Sequence, residues 1–143
     1  MNSQPHSKLA LTALSALDGY KDWDFTKILF PRADNCSIRV FPESLQQSWR
    51  SNGEHLEYLD QIKSLIHGFT FQITDIIEDS KNNRVAMHGK SSGESIIGHY
   101  HNEYIFLMTM TPDHEKITEI KEFVDSAYVQ DFFQRLRKAS GKI

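Results

Sequence analysis

The hydrophobic positions in the first half of the chain recur at helical spacing. The segment SKLALTALSALDGY, which begins at Ser7, predicts a helix with one buried face because its apolar residues lie three and four positions apart. A shorter helix, FTKILF, is predicted between the capping residue Asp24 and the proline that follows the segment. A third helix is predicted over SNGEHLEYLDQIKSLIHG, capped by Ser51 or Asn52 and ended by Gly68.

After Gly68 the hydrophobic period changes from helical to two, which predicts β-strands. The predicted strands are FTFQITDII, RVAMHGKS, YHNEYIFLMTM and KITEIKEFVDS, joined by the turn DSKNN, the loop SGES and the turn TPDHE. An earlier strand, CSIRVF, ends at Pro42. The last predicted element is a helix over AYVQDFFQRLRKA, with Asp125 or Ser126 as its cap.

This order of elements predicts an α+β fold. We expect a cone-shaped barrel, in which a curved antiparallel sheet wraps around the N-terminal helices and a C-terminal helix follows. A chain of 143 residues with 39% hydrophobic content fits one compact core, and no repeat, low-complexity segment or linker divides it. The sequence therefore predicts a single domain over residues 1–143.

Charge and composition narrow the classes of function. A net charge of −3 and a pI near 6.1 argue against a nucleic-acid partner, because phosphate binding needs a basic surface. The basic run from Arg135 to Lys138 fits a solvated helix end, and the single cysteine, Cys36, excludes an internal disulfide. No apolar run reaches the roughly 20 residues of a membrane span, and no secretion signal is recognisable. We expect a cytoplasmic protein with no membrane insertion.

The strand within GHYHNEYIFLM is apolar on both faces. Tyr104 and Phe106 alternate with Ile105 and Leu107, whereas a half-solvated strand is polar on one side. Both faces should therefore be covered, the concave one by helices or a ligand and the convex one by a second subunit. This pattern predicts a homodimer.

Two carboxylates stand out because their flanking residues are apolar. Glu103 precedes the apolar part of its strand, and Glu122 lies between Ile120 and Val124 on one face of the last strand, with Asp125 three positions on. Burial raises the pKa of a carboxyl group, which lets it act as both acid and base near neutral pH. The alternatives are exposure at a strand end for each residue and, for Asp125, a capping role on the last helix.

The histidines and one arginine are further candidates. His99 and His101 share one side of a strand, but their spacing provides no third ligand, so we expect no metal site. His88, between Met87 and a glycine, is a better candidate for a proton carrier in a pocket. Arg39 lies in an apolar strand, where it can bind an oxyanion or form an ion pair at the sheet edge.

The residues from about Asn52 to Phe133 resemble the nuclear-transport-factor-2-like, or SnoaL-like, superfamily, whose members are curved-sheet cones with a deep pocket. The succession VAMHGKSSGES, GHYHNEYIFLMTM and KITEIKEFVDS, after a strand ending RVFPESL, resembles the small fungal isomerases of meroterpenoid biosynthesis in terretonin- and austinol-type pathways. The NEY and EFVDS segments are the specific part of this resemblance. One departure is Ile38, which stands where the resemblance leads us to expect histidine.

The resemblance implies a cofactor-free, dimeric enzyme that rearranges an oxidised polycyclic meroterpenoid by ring expansion, retro-Claisen-type opening, or lactone or ester formation. The alternatives are a polyketide dehydratase or aldol cyclase of the same fold, and a non-catalytic module for ligand binding or dimerisation. The expected catalytic residues are Glu103, Glu122, His88 and Asp125. The expected substrate-binding residues are Tyr104, Asn102, Arg39, Ser91 and Phe123.

Overall fold

The computed structural model describes residues 6–141. Its α-helices are α1 Lys8–Ser15, α2 Phe25–Leu29, α3 Asn52–Ile62 and α4 Ser126–Ser140. Its β-strands are β1 Arg32–Phe41, β2 Arg50–Ser51, β3 His67–Asp79, β4 Arg84–Ser95, β5 Gly98–Met110 and β6 Ile117–Val124. Short 3₁₀ turns lie at Glu43–Leu45 and Ser80–Asn82. Helices and strands thus follow the predicted order.

The strands form one six-stranded sheet in the order β2-β1-β6-β5-β4-β3. The predicted antiparallel hairpins β3-β4, β4-β5 and β5-β6 are confirmed. Register shifts, such as those between Ile73 and Asp75 and between Thr109 and Met110, increase the twist and bend the sheet around α1, α3 and α4. The α+β cone is therefore confirmed. One pairing differs from the expected antiparallel sheet, because β1 runs parallel to β6.

Side-chain caps start the helices where the sequence predicts them. Ser7 Oγ accepts a hydrogen bond from the backbone N–H of Ala10 at 3.0 Å, and the Asp24 side chain caps α2. At α3, Ser51 is the cap rather than Asn52. Ser51 and Glu54 form a reciprocal capping box, with distances of 3.2 and 3.0 Å.

Several predicted boundaries are wrong. Helix α1 ends at Ser15 rather than at Tyr20, and β1 begins at Arg32 rather than at Cys36. Helix α3 ends at Ile62 rather than at Gly68, because the N–H groups of Leu65 and Ile66 turn back to the Ile62 carbonyl at 2.9 and 3.2 Å. Gly68 lies in β3 with a φ of +62°. The segment SGES is not a loop but the end of β4, where Gly93 pairs with Tyr100 and a Cβ would lie 2.8 Å from a methyl group of Ile66.

Alternation along β5 and β6 separates an inner from an outer face of the sheet. The inner face packs into the core beneath the helices through alternate residues of β5, namely Tyr100, Asn102, Tyr104, Phe106 and Met108, all buried. The outer face carries the intervening residues His101, Glu103 and Ile105, which are exposed. Within residues 6–141 no helix is long and apolar enough to cross a membrane.

Candidate active site

A deep cavity lies between the inner face of the sheet and the helices. It encloses about 850 Å³ of empty space, its open mouth included. Its wall is mostly apolar and rich in aromatic rings, including those of Trp23, Phe69, Phe71, Phe106 and Phe133. The polar residues of the wall are Tyr20, Arg32, Arg50, His55, Tyr58, Tyr100, Asn102, Tyr104 and Glu122.

Glu122 is the carboxylate of this cavity. It shares the inner face of β6 with Ile120 and Val124, and β-pairing sets it between Phe106 of β5 and Val40 of β1. Burial raises its pKa to about 7, and the charges of two arginines only partly oppose that rise. At neutral pH the group is therefore present in both protonation states. It can both accept and donate a proton, as the sequence predicted for a buried carboxylate.

Arg32 is the cation that opposes the desolvation of Glu122 most strongly. Only 4% of its surface is exposed. Its Nε and Nη1 atoms are buried without a hydrogen-bond partner, which is costly for a charged donor. Arg50 contributes a second positive charge from β2. A carboxyl group within the electrostatic influence of two guanidinium groups can transfer protons while the arginines stabilise negative charge on a substrate oxygen.

A histidine on α3 completes this polar end of the cavity. His55 is buried, and its Nε2 is hydrogen-bonded to Tyr20 Oη at 2.8 Å. Burial, followed by the charges of Arg32 and Arg50, lowers its pKa to about 3, so the imidazole is neutral at physiological pH. Burial also raises the pKa of Tyr20 to about 12. These two groups therefore serve as neutral hydrogen-bonding groups and not as charges.

The tyrosines of β5 are held by their neighbours. Tyr104 Oη lies 2.6 Å from Ser91 Oγ, and Asn102 Nδ2 donates to Tyr100 Oη at 2.9 Å. Burial raises the pKa of Tyr100 and of Tyr104, so both hydroxyl groups keep their protons. The Asn102 Oδ1 atom accepts from the backbone N–H of Asp125 at 3.2 Å and of Glu103 at 2.8 Å. Asn102 and Tyr104 thus line the cavity, whereas Ser91 does not line it and contacts it only through its hydrogen bond with Tyr104.

Glu103 and His88 do not face the cavity, and the expectation that Glu103 lies in a pocket is wrong. Strand alternation places both on the outer face, where Glu103 Oε2 and His88 Nε2 are 2.6 Å apart and their side chains are 56% and 36% exposed. The hydrogen bond from His88 is the main cause that lowers the pKa of Glu103. His88 Nδ1 also contacts Thr74 Oγ1 at 2.8 Å.

Three further predicted residues lie outside the cavity. Asp125 is exposed, and its carboxylate caps α4 by accepting from Tyr128 N–H at 3.3 Å, which was the alternative for this residue. Phe123 points to the outer face, where it stacks on Phe41 at 4.9 Å. Arg39 lies over the same Phe41 ring at 4.7 Å. Arg39 and Phe123 face outward because they alternate with the cavity-lining residues Ile38, Val40 and Glu122 along their strands.

The histidines of β5 are also on the outer face. His99 lies in β5, and its Nδ1 pairs with Glu94 Oε1 at 2.8 Å. The His101 ring stacks on Tyr128 with centroids 4.2 Å apart. Over the described part of the chain there is no group of three or more His, Cys, Asp or Glu placed to hold a metal ion.

Sequence reasoning missed Arg32, Arg50 and His55. For His55 a signal was present, since it lies four residues before Leu59 and seven before Ile62, on the apolar stripe predicted for α3. Arg32 follows Pro31 and lies four residues before the predicted strand CSIRVF, and nothing in its local sequence marks it as buried. It reaches the site because β1 pairs in parallel with β6, a contact between segments far apart in the chain.

No family model matches the chain. Among curated proteins, it is 30% identical over 139 residues to "Austinoid biosynthesis clusters protein J" of Emericella nidulans, covering 95% of this chain and 85% of that protein. It is 31% identical over 137 residues to "Austinoid biosynthesis cluster protein F" of Aspergillus calidoustus, covering 94% of this chain and 78% of that protein.

Comparison with solved structures also finds a fungal protein and a SnoaL-like fold. The structure of BvnE pinacolase from Penicillium brevicompactum matches with a TM-score of 0.87 and 25% identity, over 93% of this chain and 96% of that one. A structure described as a SnoaL-like polyketide cyclase from Shewanella denitrificans matches with a TM-score of 0.73 at 11% identity, over 91% and 99% of the two chains, which shows the fold alone.

The cone-shaped sheet with its enclosed cavity is the fold of the SnoaL-like, or nuclear-transport-factor-2-like, superfamily. The identity of 30% or more over nearly the whole chain is more specific. The chain belongs to the family of the fungal austinoid biosynthesis cluster proteins.

Proposed function

We propose that this protein is a cofactor-free acid/base isomerase or cyclase that rearranges an oxidised polycyclic meroterpenoid in fungal secondary metabolism. The observation that carries the proposal is the Glu122 carboxyl group, whose pKa is about 7 in an apolar cavity beside two arginines. A group that is half protonated at neutral pH can remove a proton at one atom and return it to another. No redox partner is needed for such an isomerisation.

The proposed chemistry starts with the carboxylate form of Glu122. It removes a proton from a hydroxyl group or an acidic carbon of a β-dicarbonyl substrate. When the proton comes from a hydroxyl group, the resulting alkoxide attacks a carbonyl carbon of the β-dicarbonyl group. The C–C bond between the attacked carbonyl carbon and the carbon shared by the two carbonyl groups then breaks, and its electron pair becomes an enolate. The enolate carbon then takes the proton back from the Glu122 carboxylic acid, so the product has the mass of the substrate. Ring expansion, retro-Claisen-type opening and lactone formation are all variants of this sequence.

Arg32 is assigned the stabilisation of the developing oxyanion. It is a buried cation on the wall of the same cavity as Glu122, and two of its donors lack partners within the protein. Donors that are fixed before the reaction stabilise charge where it forms without reorganising during the step. Tyr100 and Tyr104 keep their protons and are held by Asn102 and Ser91, so we assign them hydrogen bonds to substrate oxygens.

The position of Ile38 is consistent with this assignment. Ile38 is buried and lines the cavity at the position where the resemblance leads us to expect histidine. An aliphatic side chain cannot transfer a proton, so Glu122 is assigned that step alone. Glu103, His88 and Asp125 have no direct part in it, since none of them lines the cavity.

Two names among the similar proteins support the reaction class. The relatives named for austinoid biosynthesis act in a meroterpenoid pathway by their names, and the BvnE structure is described as a pinacolase, a name that denotes a rearrangement. The wall of aromatic and aliphatic side chains suits a bulky polycyclic skeleton. Among the remaining candidates, a dehydratase differs in the mass of its product and a non-catalytic ligand-binding module in forming none. An aldol cyclase also gives a product of unchanged mass, and it is distinguished by its substrate, an aromatic polyketide in place of a meroterpenoid.

The test is a mass-spectrometric product profile. Purified wild type, Glu122→Gln and the matched control Glu103→Gln are incubated with oxidised meroterpenoid β-dicarbonyl compounds in chelator-treated buffer. We expect new products of unchanged mass with wild type and Glu103→Gln, and none with Glu122→Gln. Loss of water would identify a dehydratase or cyclising dehydratase instead. Substrates that bind to the folded protein but stay intact throughout the panel would support the binding module.

We also propose that the chain forms a homodimer through the outer face of the sheet. Ile105 is 41% exposed there and lies opposite Phe123 across the β5-β6 pair. The Phe41-Phe123 stack adjoins it, with the Arg39 guanidinium over Phe41. A second copy of the same face would cover these apolar groups.

A further inference from the structure

A second, wider space opens from the cavity between α3 and α4. We call it the vestibule and define it by its lining. Six of its residues also line the inner cavity, so the two spaces adjoin. The lining of the vestibule is Val40, Leu45, Gln47, Arg50, Tyr58, Gln61, Ile62, Leu65, Val129, Gln130, Phe133, Gln134, Leu136 and Arg137. A molecule that reaches Glu122 by this route passes Arg137 on α4 and then Arg50 on β2.

The vestibule carries charge of one sign only. Among the described residues that line it there are two arginines and four glutamines, and none is aspartate or glutamate. The whole chain, by contrast, has a net charge of −3. The acidic residues Glu54 and Glu57 line an adjoining depression, which shares Gln47, Arg50, Tyr58 and Gln61 with the vestibule. Neither acidic residue lines the vestibule itself, and Glu54 is engaged in the capping box with Ser51. The opening is therefore a basic patch on an acidic protein.

Arg50 is held in position at the junction of the two spaces. Its Nη2 donates to Gln47 Oε1 at 2.7 Å, and its guanidinium lies over the Tyr58 ring at 4.0 Å. A stacked guanidinium keeps its remaining N–H donors in a fixed plane, which suits the two oxygens of a carboxylate or an enolised dicarbonyl. Arg137 also acts electrostatically on Tyr58, which places its charge near the same ring.

We infer that the ligand of this cavity is an organic anion, with its negative charge on carboxylate or enolate oxygens, and that Arg137 and Arg50 recognise it in the vestibule. This inference deepens the proposed function, on which it rests for the identity of the site, by naming the charge class of the substrate. Arg137 attracts the anion, Arg50 binds its oxygens, and the aromatic wall beyond holds the ring system. Neutral analogues of the same shape bind more weakly.

A pair of fluorescent probes tests the inference without turnover. Anilinonaphthalene sulfonate and phenylnaphthylamine share one aromatic skeleton and differ by a sulfonate group. The chain has two tryptophans, of which Trp23 lines the inner cavity, so in a Trp49→Phe background energy transfer from Trp23 reports binding of the probe to the protein. We expect the anion to bind about tenfold more tightly than the neutral probe at low salt, the equivalent of one hydrogen bond to a charged group. Added salt should shrink this preference.

Single-residue variants show which arginines cause the preference for the anionic probe. Arg137→Gln and Arg50→Gln should each weaken binding of the anionic probe several-fold and leave the neutral probe unchanged. Lys138→Gln is the matched control, because Lys138 is exposed, carries the same charge and adjoins Arg137 without lining the vestibule. Equal affinity for the two probes would overturn the inference. An equal loss of affinity for the anionic probe in Lys138→Gln and Arg137→Gln would also overturn it. The loss would then result from the overall positive charge of α4 and not from a contact in the vestibule.

Competition with the anionic probe distinguishes a carboxylate from an enolate as the group that the vestibule recognises. Naphthoate presents a carboxylate, and an acetylated cyclic dione presents an enolate. Displacement of the anionic probe by either compound supports the inference and identifies the group, whereas displacement by neither overturns it. The readout is binding, so it stays informative if Glu122→Gln shows that the proposed reaction is wrong.

Discussion

The two faces of the sheet carry two carboxylates in similar sequence settings but in opposite environments. Glu122, on the inner face, has a pKa raised to about 7 by burial. Glu103, on the outer face, is exposed, and the hydrogen bond from His88 lowers its pKa. Glu122 lies between Ile120 and Val124 on one face of its strand, and Glu103 directly precedes the apolar part of its own strand. Apolar flanks therefore do not identify a proton-transfer residue, because the face to which the carboxyl group points decides its pKa.

The largest effect that we expect is a loss of activity on substitution of Glu122 but not of Glu103. Glu122→Gln keeps the shape of the side chain but removes its ability to exchange a proton, and general acid-base catalysis contributes about 100- to 10,000-fold to a rate. We expect kcat to fall by this factor, measured by product formation under saturating substrate. Glu103→Gln should keep kcat within about twofold, since its side chain does not line the cavity. Equal losses in the two variants would remove the distinction between the faces.

A second prediction concerns the cation beside Glu122. Removing an oxyanion donor typically costs about 100- to 1000-fold in kcat, and we expect this for Arg32→Gln. Arg32 is also the largest influence that lowers the pKa of Glu122, so its loss should raise that pKa further above 7. If the carboxylate is the base, the rate of the wild type falls as the pH drops through about 7. In Arg32→Gln this decline should begin at a higher pH.

The pH profile is the decisive readout for Arg32, because a merely destabilised variant would lose activity without moving the profile. Arg32→Lys serves as the control, since it retains the positive charge but not the planar donors. We expect its profile to stay near that of the wild type while kcat remains reduced. An unchanged profile in Arg32→Gln would show that the arginine does not act on the titrating group.

The third prediction uses stability rather than rate. The native pKa of Glu122 is above its unfolded value, so the native state binds more protons between pH about 4.5 and about 7. Wild-type stability should therefore decline as the pH rises through this window, by up to about 3 kcal/mol if Glu122 acts alone. Glu122→Gln should lack this decline and gain stability relative to the wild type at pH about 8. Urea unfolding across the pH range measures the difference, and parallel curves for the two proteins would contradict it.

Much of the fold could be predicted because its signals are local. The caps Ser7 and Asp24, the hydrophobic periods and the turn segments define the helices and the three hairpins. The end of α3 was not predictable in this way. The residues after Ile62 join β3 and pack Ile66 and Phe69 against Phe132, which is a contact between distant segments.

The site was only partly predictable, for two physical reasons. In β5 both faces are apolar, so the phase of alternation cannot be assigned from hydrophobicity, and Glu103 was expected in the pocket for that reason. In β6 the same reasoning succeeded for Glu122. Arg32 and His55 meet Glu122 only through tertiary packing. Their roles depend on distances in space that no spacing along the chain encodes. The single-domain organisation over residues 1–143 stays a prediction, since residues 1–5 and 142–143 lie outside the described part.

The last prediction has the smallest effect on the chemistry and tests the outer face itself. Ile105→Glu introduces a charge beside Phe123 on the outer face, and in a face-to-face dimer this charge meets its own copy across the two-fold axis. We expect sedimentation velocity to show monomers for Ile105→Glu and dimers for the wild type. Ile96→Glu is the matched control, because Ile96 is 68% exposed in the turn between β4 and β5, away from this face. The cavity lies on the other side of the sheet, so Ile105→Glu should still bind the aromatic probes. A wild type that is monomeric at micromolar concentration would show that the outer face, although apolar, has no second copy to cover it.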